Sequence, residues 1–85
     1  MSYVVVLTRS AEKAMHKAPA AMVKRIADHI QRLVEEPRPP GCVKLTDSHN
    51  RYRLRIGDWR ILYSVDDGKR LVTMHSIAKR DKAYR

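Results

Sequence analysis

Arginine side chains recur at alternate positions in one short segment, and their spacing predicts a binding site for an anion. The segment Arg51–Arg60 reads Arg-Tyr-Arg-Leu-Arg-Ile-Gly-Asp-Trp-Arg. In an extended strand the intervening apolar residues lie on one face, and the other face carries Arg51, Arg53 and Arg55. Gly57-Asp58 is typical of a two-residue hairpin turn, which would place Arg55 opposite Arg60. Because like charges that face each other destabilise a sheet, we expect an anion to lie between them.

The end of the chain adds further polar groups to the same predicted face. A two-residue turn at Asp67-Gly68 would bring His75 opposite Arg60, and basic residues follow where that strand ends. For each of these residues the alternative is a solvated strand face or a polar surface position. We predict that four further residues contact a bound polyanion beside the arginines of the hairpin: Arg51, His75, Lys79 and Lys82.

A cluster of arginines with a tyrosine suits the cleavage of an RNA phosphodiester. RNA carries its own nucleophile, the 2′-hydroxyl, so the protein has to remove that proton, stabilise the phosphorane and protonate the 5′-oxygen. Arginine forks match the equatorial oxygens of such a phosphorane. Neighbouring cations favour the phenolate form of a tyrosine, and Tyr84 is the candidate. This chemistry calls for no metal and no cofactor.

The spacing of residues gives poor support to other kinds of catalytic site. The four histidines share no metal-ligand spacing, and Cys42 has no neighbouring ligand. No arrangement of nucleophile, histidine and acid indicates a triad. The three glycines are scattered singly at turns and form no phosphate-binding loop.

Composition predicts a small folded domain with an anionic partner. A chain of 85 residues that is 44% hydrophobic can form one core, so we expect a single domain over 1–85. Lys and Arg number 18 against 9 Asp and Glu, a net charge of +9 that indicates nucleic acid or an acidic protein as partner. A plain basic surface is the alternative. The lone cysteine, and the lack of a signal peptide or bilayer-length apolar segment, predict a cytoplasmic protein.

The first half of the chain reads as one strand followed by two helices. Tyr3–Leu7 is rich in β-branched residues and apolar on both sides, which predicts an interior strand. Thr8 and Ser10 are candidate N-caps for a helix over residues 9–17, and Pro19 suits the first turn of the next helix. That second helix has a clear apolar stripe and ends before the Pro37–Gly41 segment. The stripe consists of Met22, Val23, Ile26, Ile30, Leu33 and Val34.

The second half predicts a meander of antiparallel strands. Residues 43–45 form a short strand candidate, and the Arg51–Ile56 and Trp59–Val65 strands form the hairpin with the arginines. Residues 71–78 form the last strand. The predicted class is α+β, with two N-terminal helices packed on one face of a mainly antiparallel twisted sheet in the order β-α-α-β-β-β, the 43–45 strand being additional.

Three segments together resemble a known family. Tyr52–Tyr63, Val65–Gly68 and Ile77–Tyr84 are similar to the RelE branch of the RelE/ParE superfamily, the toxins of bacterial type II toxin–antitoxin pairs. The resemblance covers the whole chain in the order of its elements and is most specific from residue 51 to residue 84. It implies a compact microbial-ribonuclease-like fold and metal-independent cleavage of mRNA in the A site of the 70S ribosome.

The resemblance also implies roles for individual residues. Arg53 and Arg55 match two basic positions, commonly lysines, that bind and stabilise the reacting phosphate. Arg60 matches a phosphate-stabilising arginine, and Arg80 matches one that stabilises the transition state or the leaving group. Tyr84 matches a tyrosine implicated as general base, with a shorter spacing from Arg80 than in the family.

Two other functions stay open beside the ribonuclease. The ParE branch of the superfamily poisons DNA gyrase by protein contact, and a basic fold without activity would be a nucleic-acid-binding module. The presence of all five candidate catalytic residues favours the ribonuclease. The implied partners are a cognate acidic, RelB-like antitoxin, the ribosome with its mRNA, and operator DNA only through the antitoxin complex; no membrane is implied.

Overall fold

Two helices and five strands make up the fold. The computed structural model describes residues 2–46 and 50–79. The elements are β1 (Val4–Leu7), α1 (Arg9–Lys17), α2 (Ala20–Glu35), β2 (Val43–Lys44), β3 (Arg51–Ile56), β4 (Trp59–Asp66) and β5 (Leu71–Lys79). The predicted α+β class and the order of elements are confirmed, and the short strand candidate at 43–45 is present as β2.

Local signals in the sequence set the ends of both helices. Thr8 is the N-cap of α1, and its hydroxyl accepts a hydrogen bond from the Ala11 N–H at 3.2 Å. The alternative cap, Ser10, lies inside the first turn. Pro19 directly precedes α2, where its fixed φ suits a helix start. The helix ends at Glu35, two residues before Pro37, as the sequence predicted.

The five strands form one sheet in the order β1-β5-β4-β3-β2, and only the β1–β5 pair is parallel. The prediction that Tyr3–Leu7 is an interior strand is wrong, because β1 lies at one edge. Its side chains alternate between a covered and an open side: Val4 and Val6 are 63% and 40% exposed, whereas Val5 and Leu7 pack against the core. Although β1 is apolar on both sides, it lies at the edge of the sheet, and the side that carries Val4 and Val6 is not covered.

The core lies between the helices and one face of the sheet. Ile26 and Leu33 of the predicted α2 stripe are fully buried, and Met22 and Ile30 pack beside them. Alternate residues of β3, β4 and β5 supply the other side of the core. Because strand side chains alternate, the residues between them must project to the opposite face. We call that opposite face the open face of the sheet.

The first hairpin has the predicted register and the second does not. Ile56 pairs with Trp59 around Gly57-Asp58, and Arg55 pairs with Arg60. The second connection is a four-residue loop, residues 67–70, because Asp66 pairs with Leu71. The predicted two-residue turn at Asp67-Gly68 is therefore wrong. Neither described helix is long and apolar enough to cross a membrane.

Candidate functional site

Three arginines of adjacent strands meet at a cavity on the open face. Arg53 and Arg55 project from β3 and Arg60 from β4, which confirms that the three share a face. The cavity measures about 270 Å³. Its wall is completed by Gly41, two residues before β2, and by Val43, which starts β2 and pairs with Arg53. The sheet thus places three guanidinium groups around one small space.

The three arginines differ in how far water reaches them. Arg60 is only 3% exposed, Arg53 is half-buried, and Arg55 is exposed. A guanidinium group stays charged even when buried, and its five N–H groups match phosphate oxygens in a fixed fork. Burial lowers the local dielectric and strengthens the attraction between such a group and an anion. The cavity therefore suits an oxyanion such as a phosphodiester.

The wall opposite β3 is the segment between α2 and β2. Gly41 has a φ of +95°, a left-handed conformation that side chains other than glycine rarely adopt. It follows Pro39 and Pro40, whose rings restrict the backbone before it. Sequence reasoning treated this segment only as a helix stop. The signal that could have revealed it is a glycine directly after a proline pair.

Side-chain bonds of Arg38 hold that segment against the sheet. Arg38 donates from two nitrogens to the Asp67 carboxylate, at 3.1 and 2.8 Å, and from Nε to the Tyr52 hydroxyl at 2.7 Å. Its guanidinium also lies 5.2 Å from the centre of the Tyr52 ring. Arg38 and the Tyr3 hydroxyl, which donates to Asp67 at 2.6 Å, hold the pKa of the Asp67 carboxyl below its ordinary value. We call Arg38, Asp67 and Tyr3 the clasp.

A buried tyrosine holds the same segment from inside. The Tyr63 hydroxyl donates to the Pro37 carbonyl at 2.9 Å, and the Tyr63 ring stacks on Tyr52 with centres 5.7 Å apart. Burial raises the pKa of Tyr63, and the neighbouring Cys42 thiol raises it further. Tyr63 therefore stays a neutral donor at physiological pH. The clasp and Tyr63 together fix the segment that ends at Gly41.

His75 does not lie where the sequence placed it. The register of β4 and β5 shifts between Leu62 and Tyr63, and Ala78 rather than His75 pairs with Arg60. His75 Nε2 instead lies 2.9 Å from the Ser64 hydroxyl. Desolvation lowers the pKa of His75, and the charge of Arg51 lowers it further. The prediction that His75 faces Arg60 is wrong because the longer loop and the bulge displace it.

The remaining predicted residues are placed as follows. Arg51 is exposed at the start of β3, where it pairs with Ser64, and Lys79 is exposed at the end of β5. Neither lines the arginine cavity. Within the described ranges no group of three His, Cys, Asp or Glu side chains could hold a metal ion. The predicted residues Arg80, Lys82 and Tyr84 lie outside the described part of the chain.

Comparison with known proteins identifies a matching family. The model of the family described as "ParE toxin of type II toxin-antitoxin system, parDE" matches residues 5–84. Among curated proteins, Toxin RelE of Mycobacterium tuberculosis (strain ATCC 25618 / H37Rv) is 27% identical over 84 residues, which cover 98% of this chain and 87% of the relative.

Solved structures with the same fold agree with that match. The archaeal RelE–RelB complex from Pyrococcus horikoshii OT3 contains a chain that is 28% identical, with a TM-score of 0.85; the match covers 94% of this chain and 97% of that one. The isolated E. coli RelE toxin has a TM-score of 0.82 at 22% identity, over 92% of this chain and 84% of that chain. At that identity the likeness concerns the fold alone.

Proposed function

The chain belongs to the RelE/ParE superfamily of type II toxin–antitoxin toxins, and from this membership we propose that it is a RelE-branch endoribonuclease that cleaves mRNA in the ribosomal A site in the cytoplasm. The observation that carries the proposal is the convergence of Arg53, Arg55 and Arg60 on one cavity of the open face. A site for a single phosphodiester has this size and charge. The proposed active unit is the single domain 1–85.

The proposed reaction uses the nucleophile of the RNA itself. The 2′-oxygen attacks the adjacent phosphorus while a base removes its proton, and the 5′-oxygen leaves with a proton from an acid, which gives a 2′,3′-cyclic phosphate and a 5′-hydroxyl. Arg53 and Arg55 bind the phosphate, and Arg60 stabilises the charge of the phosphorane from its buried position. Arg80 and Tyr84 complete the proposal as leaving-group stabiliser and general base. No step requires a metal or a cofactor.

Further RNA contacts extend outward from the reaction site. Arg51 is exposed at the start of β3, the strand that holds Arg53 and Arg55, and Lys79 is exposed at the end of β5, where it pairs with Trp59, the neighbour of Arg60 in β4. With Lys82 they would contact neighbouring phosphates or ribosomal RNA. His75, bonded to Ser64 and with a lowered pKa, is a neutral hydrogen-bonding group rather than a cation in this proposal.

The proposed regulator is an acidic, RelB-like antitoxin. The structurally similar Pyrococcus protein was solved as a RelE–RelB complex, and the present chain carries a net charge of +9 that an acidic segment would neutralise. Covering the arginine cavity would exclude RNA. Operator DNA would be bound by the complex, with the antitoxin supplying the DNA contacts.

The experiment that tests this function maps mRNA 5′ ends after induction from a tightly repressed promoter. The wild-type chain is expected to produce new ends within translated codons. Arg55→Ala should reduce these cuts at least tenfold, because one phosphate contact is lost from an exposed side chain that folding does not need. Lys69→Ala removes an equal charge from the loop at the far end of β4 and should cut normally. Intact mRNA in cells that express the wild-type chain would overturn the proposal.

A second candidate function follows from the family model, whose description names ParE toxins. A gyrase poison would act by protein contact and would not need a phosphate site. In the same cultures it would leave mRNA intact and produce DNA breaks with an SOS response. A chain that does neither would be a basic nucleic-acid-binding module.

A further inference from the structure

A second cavity opens beside the arginine cavity, between α2 and the segment before β2. It measures about 300 Å³, at the lower end of the range for small-ligand sites. Its floor is apolar, formed by Leu54 of β3 and by the rings of Pro39 and Pro40. Two residues from α2, His29 and Arg32, form its other side. None of these residues was a candidate from the sequence.

Two residues are shared between this cavity and the arginine cavity. Arg55 and Gly41 line both. At Gly41 a Cβ would meet no heavy atom within 4 Å, so the rim between the two spaces is open backbone with no side chain across it. A strand of RNA that places one phosphate among Arg53, Arg55 and Arg60 could therefore continue over Gly41 into the second cavity.

The chemistry of the second cavity suits a nucleotide. Arg32 adds a second guanidinium to the cavity that Arg55 also lines, and a following phosphate requires such a group. The His29 ring is oriented by a bond of 2.9 Å from Nδ1 to the Arg25 carbonyl. Because that carbonyl can only accept, Nδ1 carries the proton, and Nε2 can accept from a base or a ribose hydroxyl. The imidazole offers a flat face on which a base can stack, and the proline rings offer an apolar surface beside it.

The charges further along α2 limit the site to about one nucleotide. Beyond Arg32, Pro39 and Pro40 the surface continues into a wider hollow whose rim includes Glu35 and Glu36. Two carboxylates there repel a polyanion. The cationic surface thus ends after the second cavity.

From these observations we infer that the cavity lined by His29, Arg32 and Arg55 binds the nucleotide next to the one whose phosphate lies in the arginine cavity. The inference rests on the proposed function for the nature of the ligand. It adds a substrate subsite whose occupant would influence which RNA sequences bind. Arg55 contacts both phosphates, and Arg32 contacts only the second.

The test measures binding apart from cleavage. The full chain is titrated, with NMR detection, with a dinucleotide and a trinucleotide that carry 2′-O-methyl groups, which block the nucleophile. The trinucleotide, with its second phosphate, is expected to bind the wild-type chain about tenfold more tightly than the dinucleotide. Arg32→Ala should reduce this gain to about twofold and leave dinucleotide binding unchanged. Lys24→Ala removes a charge from an exposed position about two turns earlier in the same helix, outside the cavity, and should keep the full gain in affinity.

Several outcomes would overturn the inference. Equal gains in Arg32→Ala and Lys24→Ala would mean that the cavity is not a subsite, even if mRNA is cut in cells. The same holds if the wild-type chain shows no gain from the third nucleotide. A hexaglutamate peptide serves as the probe for an acidic protein segment. If it displaces the trinucleotide from the wild-type chain but not from Arg32→Ala, the cavity binds an acidic polypeptide. If mRNA is not cleaved but the third nucleotide still increases the affinity about tenfold, the proposed reaction is refuted and the inferred subsite is supported.

Discussion

Tyr63 connects the hydrophobic core to the wall of the candidate site. Its ring is fully buried, and its hydroxyl bonds to the carbonyl of Pro37, in the segment that leads to Gly41. A buried carbonyl that loses a donor keeps the cost of desolvation without that compensation. A substitution that removes the hydroxyl and keeps the ring therefore measures the contribution of this one hydrogen bond.

We expect Tyr63→Phe to lower the free energy of unfolding by about 1–2 kcal/mol, because the hydroxyl is lost and the ring is kept. Urea denaturation measures the change. Tyr3→Phe, which removes a hydroxyl from an exposed pair, is the matched control and should cost less. Equal losses in the two variants would show that the Tyr63–Pro37 bond does not stabilise the fold.

The clasp predicts a pH dependence of stability. The pKa of Asp67 is lowered in the folded protein, so this carboxylate stabilises the fold above its ordinary pKa of about 3.9 and ceases to do so as the pH falls through the lowered value. Asp67→Asn should therefore have a lower Tm than the wild type at pH 7. The difference should shrink as the pH falls below about 4, because the unfolded wild-type chain binds its proton there and the folded protein follows at the lowered pKa. A constant difference down to pH 2 would contradict the role of the carboxylate.

Single residues of the site were predictable where the period of a strand decides their direction. Arg53, Arg55 and Arg60 were placed correctly because alternation along β3 and a short turn fix the face of each. The clasp was not predictable, since Arg38 and Asp67 are 29 positions apart and meet only through the tertiary fold. His29 and Arg32 were not predictable for the same reason. They line a cavity only because the tertiary fold brings α2 beside Gly41.

Among the elements, the β3–β4 hairpin has a turn whose conformation favours glycine. Gly57 has a φ of +58°, and a Cβ there would lie 3.1 Å from the Arg25 Nη1 atom. A positive φ at the first of two turn residues is typical of a type II′ turn, which matches the twist of the strands. The turn sets the register that brings Arg55 opposite Arg60.

Gly57→Ala should destabilise the protein by about 1–2 kcal/mol, because alanine pays the steric penalty of the left-handed region. Gly68→Ala is the control in the other hairpin: its Cβ would lie 3.4 Å from an Asp66 oxygen, an ordinary contact, and its φ is not in that region. Thermal denaturation of both variants checks the expectation. A neutral Gly57→Ala would refute the constraint on the turn.

Element boundaries with local causes were predictable from the sequence, and those with distant causes were not. The N-cap at Thr8 and the proline after α2 act within one helical turn, and both helix ends were found. The edge position of β1 depends on its pairing with β5, which no local pattern encodes. The bulge at Leu62/Tyr63 likewise concerns the pairing of β4 with β5, and no local pattern in either strand encodes it.

For the whole molecule, the positive charge predicts binding of single-stranded RNA that weakens steeply with salt. If the arginine cavity and the cavity beside Arg32 each bind one phosphate, the slope of log K against log salt should be about −1.4, at about −0.7 per neutralised phosphate. Arg55→Ala should make the slope less negative by about 0.7, whereas Lys69→Ala should leave it unchanged. Binding of a 2′-O-methyl oligonucleotide at four salt concentrations measures the slopes. A slope that is the same in Arg55→Ala and the wild type would contradict the phosphate contact.

The parallel pairing of β1 with β5 has a consequence for the timing of synthesis. Val4 pairs with Leu71, and the Thr8 hydroxyl donates to the His75 carbonyl. Because β5 is the strand that pairs with β1, β1 cannot join the sheet until β5 is present. Pairing between positions so far apart in the sequence is slow to form. A nascent chain that lacks β5 has an incomplete sheet beneath its helices. Synthesis must therefore proceed through β5 before the complete sheet forms, which delays the finished fold until most of the chain has been translated.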